Sequence, residues 1–195
     1  MEIQYLNLKI YTKNEKQPPS DDFIMIFHNW IQNTSGDELL IDVADYSNVT
    51  AGPGVMLIGH EANYSVEYGP EERFGLLYNT KMNRDGSNQD RIRYAFKQII
   101  QAGLKLENDQ RLKSKIEFGG QELQLTLNRR SLSPNNETTF NTVKGDMEAV
   151  LSQIYPDSTY SINRTSTDPR ERFSIQIKIN NTTALSQLWE NIVSG

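Results

Sequence analysis

Cysteine is absent from the 195 residues, which at once excludes disulfide frameworks, thiolate zinc sites, iron–sulfur clusters and cysteine nucleophiles. Histidine is almost as scarce, with His28 and His60 the two present. No apolar run approaches the ~20 residues of a membrane span, so a membrane partner is not expected. The opening Met-Glu-Ile-Gln-Tyr-Leu lacks the basic-then-apolar order of a secretion signal, which makes a cytoplasmic location the expectation. A basic stripe is missing too. With a net charge of -5 and a pI near 5.1 the average surface repels phosphate backbones. Asp90, Asp168 and Glu171 dilute the arginines nearest to them, so a nucleic-acid partner is not expected either.

What is present points to a folded chain. Aromatic residues run from Tyr5 to Trp189 and no stretch is drained of apolar side chains. The length admits one large domain or two small ones. A single α+β domain over 1–195 is the leading reading, and two small α+β halves, 1–108 and 113–195, are the alternative.

Residues 2–12 read as a strand. Ser20-Asp21-Asp22 then opens a helix with Phe23, Phe27, Trp30 and Ile31 at helical spacing, ending near Ser35-Gly36. Leu39 to Val43 and Val55 to Ile58 are near-continuous apolar runs, typical of strands covered on both faces. Phe74 to Asn79 reads as a third strand. Ile92, Ala95, Phe96, Ile99, Ile100 and Gly103 share one face of a long helix that Ser87 to Asp90 caps. A hairpin turning at Gly119-Gly120 is expected next, Ile116 and Phe118 on one arm and Leu123, Leu125 and Leu127 on the other. Val143, Met147, Val150 and Leu151 mark a third helix. Tyr160, Ile162 and Phe173 to Ile179 form a second hairpin, and Leu185, Leu188, Trp189 and Ile192 a last helix. The pattern predicts a largely antiparallel sheet of about eight strands, with about four helices packed on one face as a two-layer α+β sandwich.

One stretch concentrates polar chemistry. Asp42 interrupts an apolar run, Asp45-Tyr46 follows where that strand leaves the sheet, and Gly59-His60-Glu61 closes the next strand. A carboxylate in a buried strand needs a partner, because an unpaired buried charge costs several kcal/mol. One is therefore expected for Asp42. Gly52-Pro53-Gly54 is no phosphate loop, since Pro53 has no N–H to donate and an apolar strand follows where a helix N-terminus would be needed. It reads as a tight turn setting the register of two central strands.

The series Asp42-Val-Ala-Asp-Tyr46, Gly52-Pro-Gly-Val55 and Gly59-His-Glu61 resembles a family of uncharacterised bacterial proteins, cyanobacterial ones included. That resemblance covers about a fifth of the chain and implies no activity, cofactor or ligand.

Taken as chemistry, Asp42, Asp45, His60 and Glu61 would suit acid–base work or a divalent metal, for which His60, Glu61 and Asp42 are the available ligands. Gly-His-Glu lacks the second histidine of a zinc helix, and the plainer reading is that His60 and Glu61 shape a strand end. Tyr46, Tyr64 and Tyr78 suit a pocket wall, a partner surface or a core margin. Lys81 and Arg84 are placed either to neutralise an anionic ligand or simply to be solvated. The leading expectation is a binding module for a small molecule or protein, using the strand-end surface from Asp42 to Tyr64. A metal-dependent or acid–base enzyme using Asp42, Asp45, His60 and Glu61, and a structural subunit of an assembly, are its rivals.

Overall fold

Leu6, Leu8 and Ile10 alternate with Asn7 and Lys9 along β1 (Leu6–Thr12), giving this strand an apolar face and a polar one. The computed structural model describes residues 1–14, 16–33, 38–70 and 72–194. In it β1 lies inside an eight-stranded sheet, flanked by β5 (Gly75–Thr80) and β6 (Phe118–Leu127). Beyond β5 come β4 (Ala62–Glu67), β3 (Gly54–Gly59) and the edge strand β2 (Leu40–Tyr46); beyond β6 come β8 (Ser174–Ile179) and the other edge, β7 (Tyr160–Arg164). Every pairing is antiparallel.

Register aligns the apolar faces across the sheet. Leu57 opposes Tyr64, Tyr64 opposes Tyr78, Tyr78 opposes Leu8, Leu8 opposes Leu125, and Leu125 opposes Ile175. All six side chains are buried, under four helices. These are α1 (Ser20–Asn33), α2 (Asn88–Glu107), α3 (Glu137–Ile154) and α4 (Leu185–Ser194). Each contributes a buried stripe, such as Phe23, Ile26 and Phe27 on α1 and Ile92, Phe96 and Ile99 on α2. The neighbouring row, Lys9 with Gln124, Gln176 and Asn163, lies on the sheet's open face. The fold is a two-layer α+β sandwich.

The α2 start is capped as its sequence predicts. Ser87 Oγ accepts the Asp90 N–H at 3.1 Å, and Asp90 Oδ2 accepts the Ser87 N–H at 2.8 Å. The predicted end of α1 at Ser35-Gly36 lies outside the described residues. Across the segment 108–113, where two halves would meet, the sheet is continuous, because β1 pairs with strands from both sides of it. Buried Asp22, in the first turn of α1, also accepts the Lys113 backbone N–H at 3.0 Å and lies 3.2 Å from its Nζ.

Four local expectations are corrected. The first strand starts at Leu6, after Tyr5 at φ 53°. The run Leu40–Tyr46 is an edge strand and not a doubly covered one, so Ile41, Asp42, Asp45 and Tyr46 are exposed. A further strand, β4, stands between β3 and β5. The Gly119-Gly120 hairpin does not form, and Phe118 to Leu127 is one strand whose register against β1 shifts between Phe118 and Leu123. Gly120 serves close packing instead: a Cβ there would lie 2.8 Å from Leu188 Cδ1 and 2.8 Å from Thr183 O. Small size, not turn geometry, is what this position requires.

Candidate functional site

Strand alternation separates Asp42 from Asp45. Asp42 opposes Ile58 and Asp45 opposes Val55, three positions apart on one strand and therefore on opposite faces of the sheet. Neither carboxylate is buried. Asp42 Oδ1 accepts the Val43 N–H at 2.8 Å, a local bond on an edge strand where a neighbouring strand would otherwise be able to pair. The buried partner expected for Asp42 is thus not needed. Asp45 Oδ1 accepts the Ser47 N–H at 2.8 Å as the chain turns, and the Ser47 bonds hold its carboxyl below the usual aspartate range. Gly54 opens β3 at φ 61°, where a Cβ would lie 2.0 Å from Val66 O, so Gly52-Pro53-Gly54 is turn architecture at the edge of the sheet.

His60 is exposed at the β3–β4 turn and its N–H donates to Leu39 O at 2.8 Å. Glu61, next to it, lies 3.6 Å from Arg84. Among the described residues no three His, Asp or Glu side chains gather as a metal-binding group.

Glu61 and Tyr64 instead belong to a different assembly on the helix-covered side. A cleft of about 520 Å³ opens there, between the β3–β4 end of the sheet and helices α1, α2 and α4. Trp30 of α1, Tyr94 of α2 and Trp189 of α4 contribute its aromatic walls. Tyr94, Gln98, Gln101 and Lys105 recur at three- and four-residue spacing, so a single stripe of α2 faces the opening.

The floor is a hydrogen-bonded triad. Tyr64 Oη lies 2.8 Å from Glu38 Oε2 and 3.1 Å from Gln98 Oε1. Glu38 Oε1 is buried without a hydrogen-bond partner among the described residues, packed where a Cβ on Gly59 would approach to 3.2 Å. Burial pushes the Glu38 carboxyl above the usual glutamate range against the Tyr64 hydrogen bond, which favours ionisation; Glu61 raises it further, while Lys105 and Lys81 oppose the shift. The Tyr64 phenol is also pushed up, by burial first and by Glu38 next, so it stays protonated and able to donate. Tyr78 sits beside Tyr64 with ring centroids 5.1 Å apart and forms core beneath the cleft. Tyr46 is exposed on the edge strand, away from the cleft lining.

At the rim Arg84 stacks on Tyr94, its guanidinium carbon 3.3 Å from the ring centroid, and Lys105 Nζ lies 5.3 Å from the Trp30 centroid. Of the residues singled out from the sequence, Glu61, Tyr64 and Arg84 meet here; Asp42, Asp45 and His60 do not. Glu38 was missed, and the one signal that marked it was a charge immediately ahead of an apolar run. No protein family matches the chain, and no curated protein or solved structure does.

Proposed function

We propose that this is a small-molecule-binding protein whose ligand occupies the cleft between α1, α2, α4 and the β3–β4 end of the sheet. One observation carries the reading: aromatic side chains from three helices converge over the polar floor of Glu38, Tyr64 and Gln98 in a single recess. Ligand sites combine apolar walls with convergent polar groups, and this one is richer in the latter, with charged and amide side chains as prominent in its lining as aromatic and aliphatic ones. The site lies inward of the surface first expected and shares Glu61 and Tyr64 with it. An acidic, cysteine-free chain of this kind is suited to a small-molecule role in the cytoplasm.

The chain has two tryptophans, and both line the cleft, so tryptophan emission reports on its occupancy. A metabolite panel read by emission and melting temperature is expected to give ligands that alter both, because native-state binding raises the melting temperature by mass action. Tyr64→Phe should weaken those responses. If no compound changes either signal, the cleft is not a small-molecule site and a protein partner becomes the better reading.

Glu38 favours a second reading, acid–base chemistry, since a carboxyl raised by burial and set inside a cleft is the kind of group that exchanges a proton with a bound ligand. On that reading Glu38→Gln would bind a cleft ligand but fail to turn it over. Equal turnover by the variant would remove the acid–base role.

A further inference from the structure

We infer that the ligand of this cleft is a planar aromatic anion, an aryl or arylalkyl carboxylate whose ring lies between the aromatic walls and whose charge is held by Lys97 and Lys105. This rests on the small-molecule reading of the cleft and adds the sign and position of the ligand's charge.

The charges lining the cleft do not cancel. Glu61 and Arg84 face each other at 3.6 Å, and Arg84 is further engaged by the Tyr94 ring. Lys97 and Lys105, two turns apart on α2, have no carboxylate within ion-pairing distance among the described residues, and Gln101 stands midway between them. The remaining acid, Glu38, is bonded to Tyr64 at the floor, and even counted as an anion it leaves the three cations Arg84, Lys97 and Lys105 against the two acids Glu38 and Glu61. The uncompensated charge is therefore positive and lies along one helix stripe at the rim. In a chain of net charge -5 that is a local inversion of sign.

The walls complete the argument. Lys105 already sits against the Trp30 ring and Arg84 against the Tyr94 ring, so a cationic ligand would meet aromatic faces that hold a cation. An anion would pair with both lysines and accept from the Gln101 amide without displacing either contact. The floor offers the Tyr64 hydroxyl and the Gln98 amide, neutral groups suited to the uncharged body of the ligand.

Three probes of one shape separate the possibilities: phenylacetate, phenethylamine and phenylacetamide, titrated at neutral pH against tryptophan emission and ligand-observed saturation-transfer NMR. Phenylacetate is expected to bind about fivefold more tightly than the amide, the size of a partly exposed ion pair, and the amine most weakly. The double variant Lys97→Ala/Lys105→Ala should bring phenylacetate to the level of the amide, and added salt should do the same. Tightest binding by the amine, equal binding by all three, or a preference for phenylacetate that survives the double variant would overturn the inference while leaving the cleft as a small-molecule site. Absence of binding by all three would overturn the inference, and the metabolite panel alone then decides whether the cleft is a small-molecule site.

Discussion

Tyr64 Oη stands 2.8 Å from Glu38 Oε2 and 3.1 Å from Gln98 Oε1, so one hydroxyl hydrogen faces two acceptor oxygens. Two arrangements satisfy all three groups. In one, a protonated Glu38 donates to Tyr64, which donates to Gln98. In the other, the Gln98 amide is turned so that its nitrogen donates to Tyr64, which donates to an ionised Glu38. The second keeps the Tyr64 hydroxyl as the donor to Glu38 Oε2, while burial raises the Glu38 carboxyl against that bond.

This has a consequence for stability against pH. Glu38 is raised above its ordinary value of 4.5 in the folded chain, so between that value and the folded one the native state binds more protons than the unfolded state. Stability contributed by Glu38 is therefore present below pH 4.5 and is lost as pH rises through its folded pKa. Glu107, also raised by burial, acts in the same direction. Glu122, Asp45, Asp90 and Asp168 are lowered and act in the opposite direction, at pH values below their ordinary ones. Urea melts across pH 4.5 to 8 should show falling stability in the wild type, a smaller fall in Glu38→Gln and a smaller one again in Glu38→Gln/Glu107→Gln. Identical slopes in all three would mean that neither carboxyl is shifted.

At β6, Gly120→Ala is expected to destabilise by about 1–3 kcal/mol, the range for overpacking a filled site, since the new methyl meets Leu188 Cδ1 and Thr183 O, each at 2.8 Å. Gly119→Ala should change stability by less than about 0.5 kcal/mol, its nearest neighbour being Lys13 Cγ at 3.4 Å. Equal, large losses at both positions would restore the hairpin turn that the strand replaces.

Tyr155 Oη donates to Gly120 O at 2.8 Å in a buried contact that ties the C-terminal end of α3 to β6. Tyr155→Phe leaves the ring packing intact and removes that bond, for an expected loss of about 1 kcal/mol in chemical denaturation. A neutral result would place another donor on Gly120 O.

Asp42 guards the exposed edge of the sheet, so Asp42→Val should leave monomer stability within about 0.5 kcal/mol yet promote concentration-dependent association relative to the wild type. The variant removes both the charge and the bond to the Val43 N–H on an edge that also exposes Ile41 and Tyr46. Sedimentation velocity over a range of concentrations measures this directly. Unchanged sedimentation would assign edge protection elsewhere, for instance to the register shift between Leu40 and Asp42.

Much of the fold can be read from local pattern. The α2 stripe and its Ser87–Asp90 cap involve residues within a few positions of one another, and α1, α3 and α4 announce themselves by spacing in the same way. The strand β4 carried a readable signal, Ala62, Tyr64 and Val66 alternating with Asn63, Ser65 and Glu67, and period-two alternation would have found it. The pair Gly119-Gly120 was readable in two ways, since small size serves a turn and a close contact equally.

The candidate site was legible only in part, for a physical reason. From sequence alone come the α+β class, the helix stripes, the turn at Gly52-Pro53-Gly54 and the exclusion of thiolate chemistry, all of which depend on residue type and short-range spacing. Tertiary structure decided that Leu40 to Tyr46 is an edge strand, because an apolar run reads the same whether or not a further strand pairs beside it. It also decided that Asp42 and Asp45 lie on opposite faces and outside the cleft that Glu61 and Tyr64 line. Glu38 acquires its raised carboxyl only when Tyr64, 26 residues away, and Gln98, 34 residues further on, close over it. Burial and proton sharing belong to contacts between distant segments, and no local spacing encodes them.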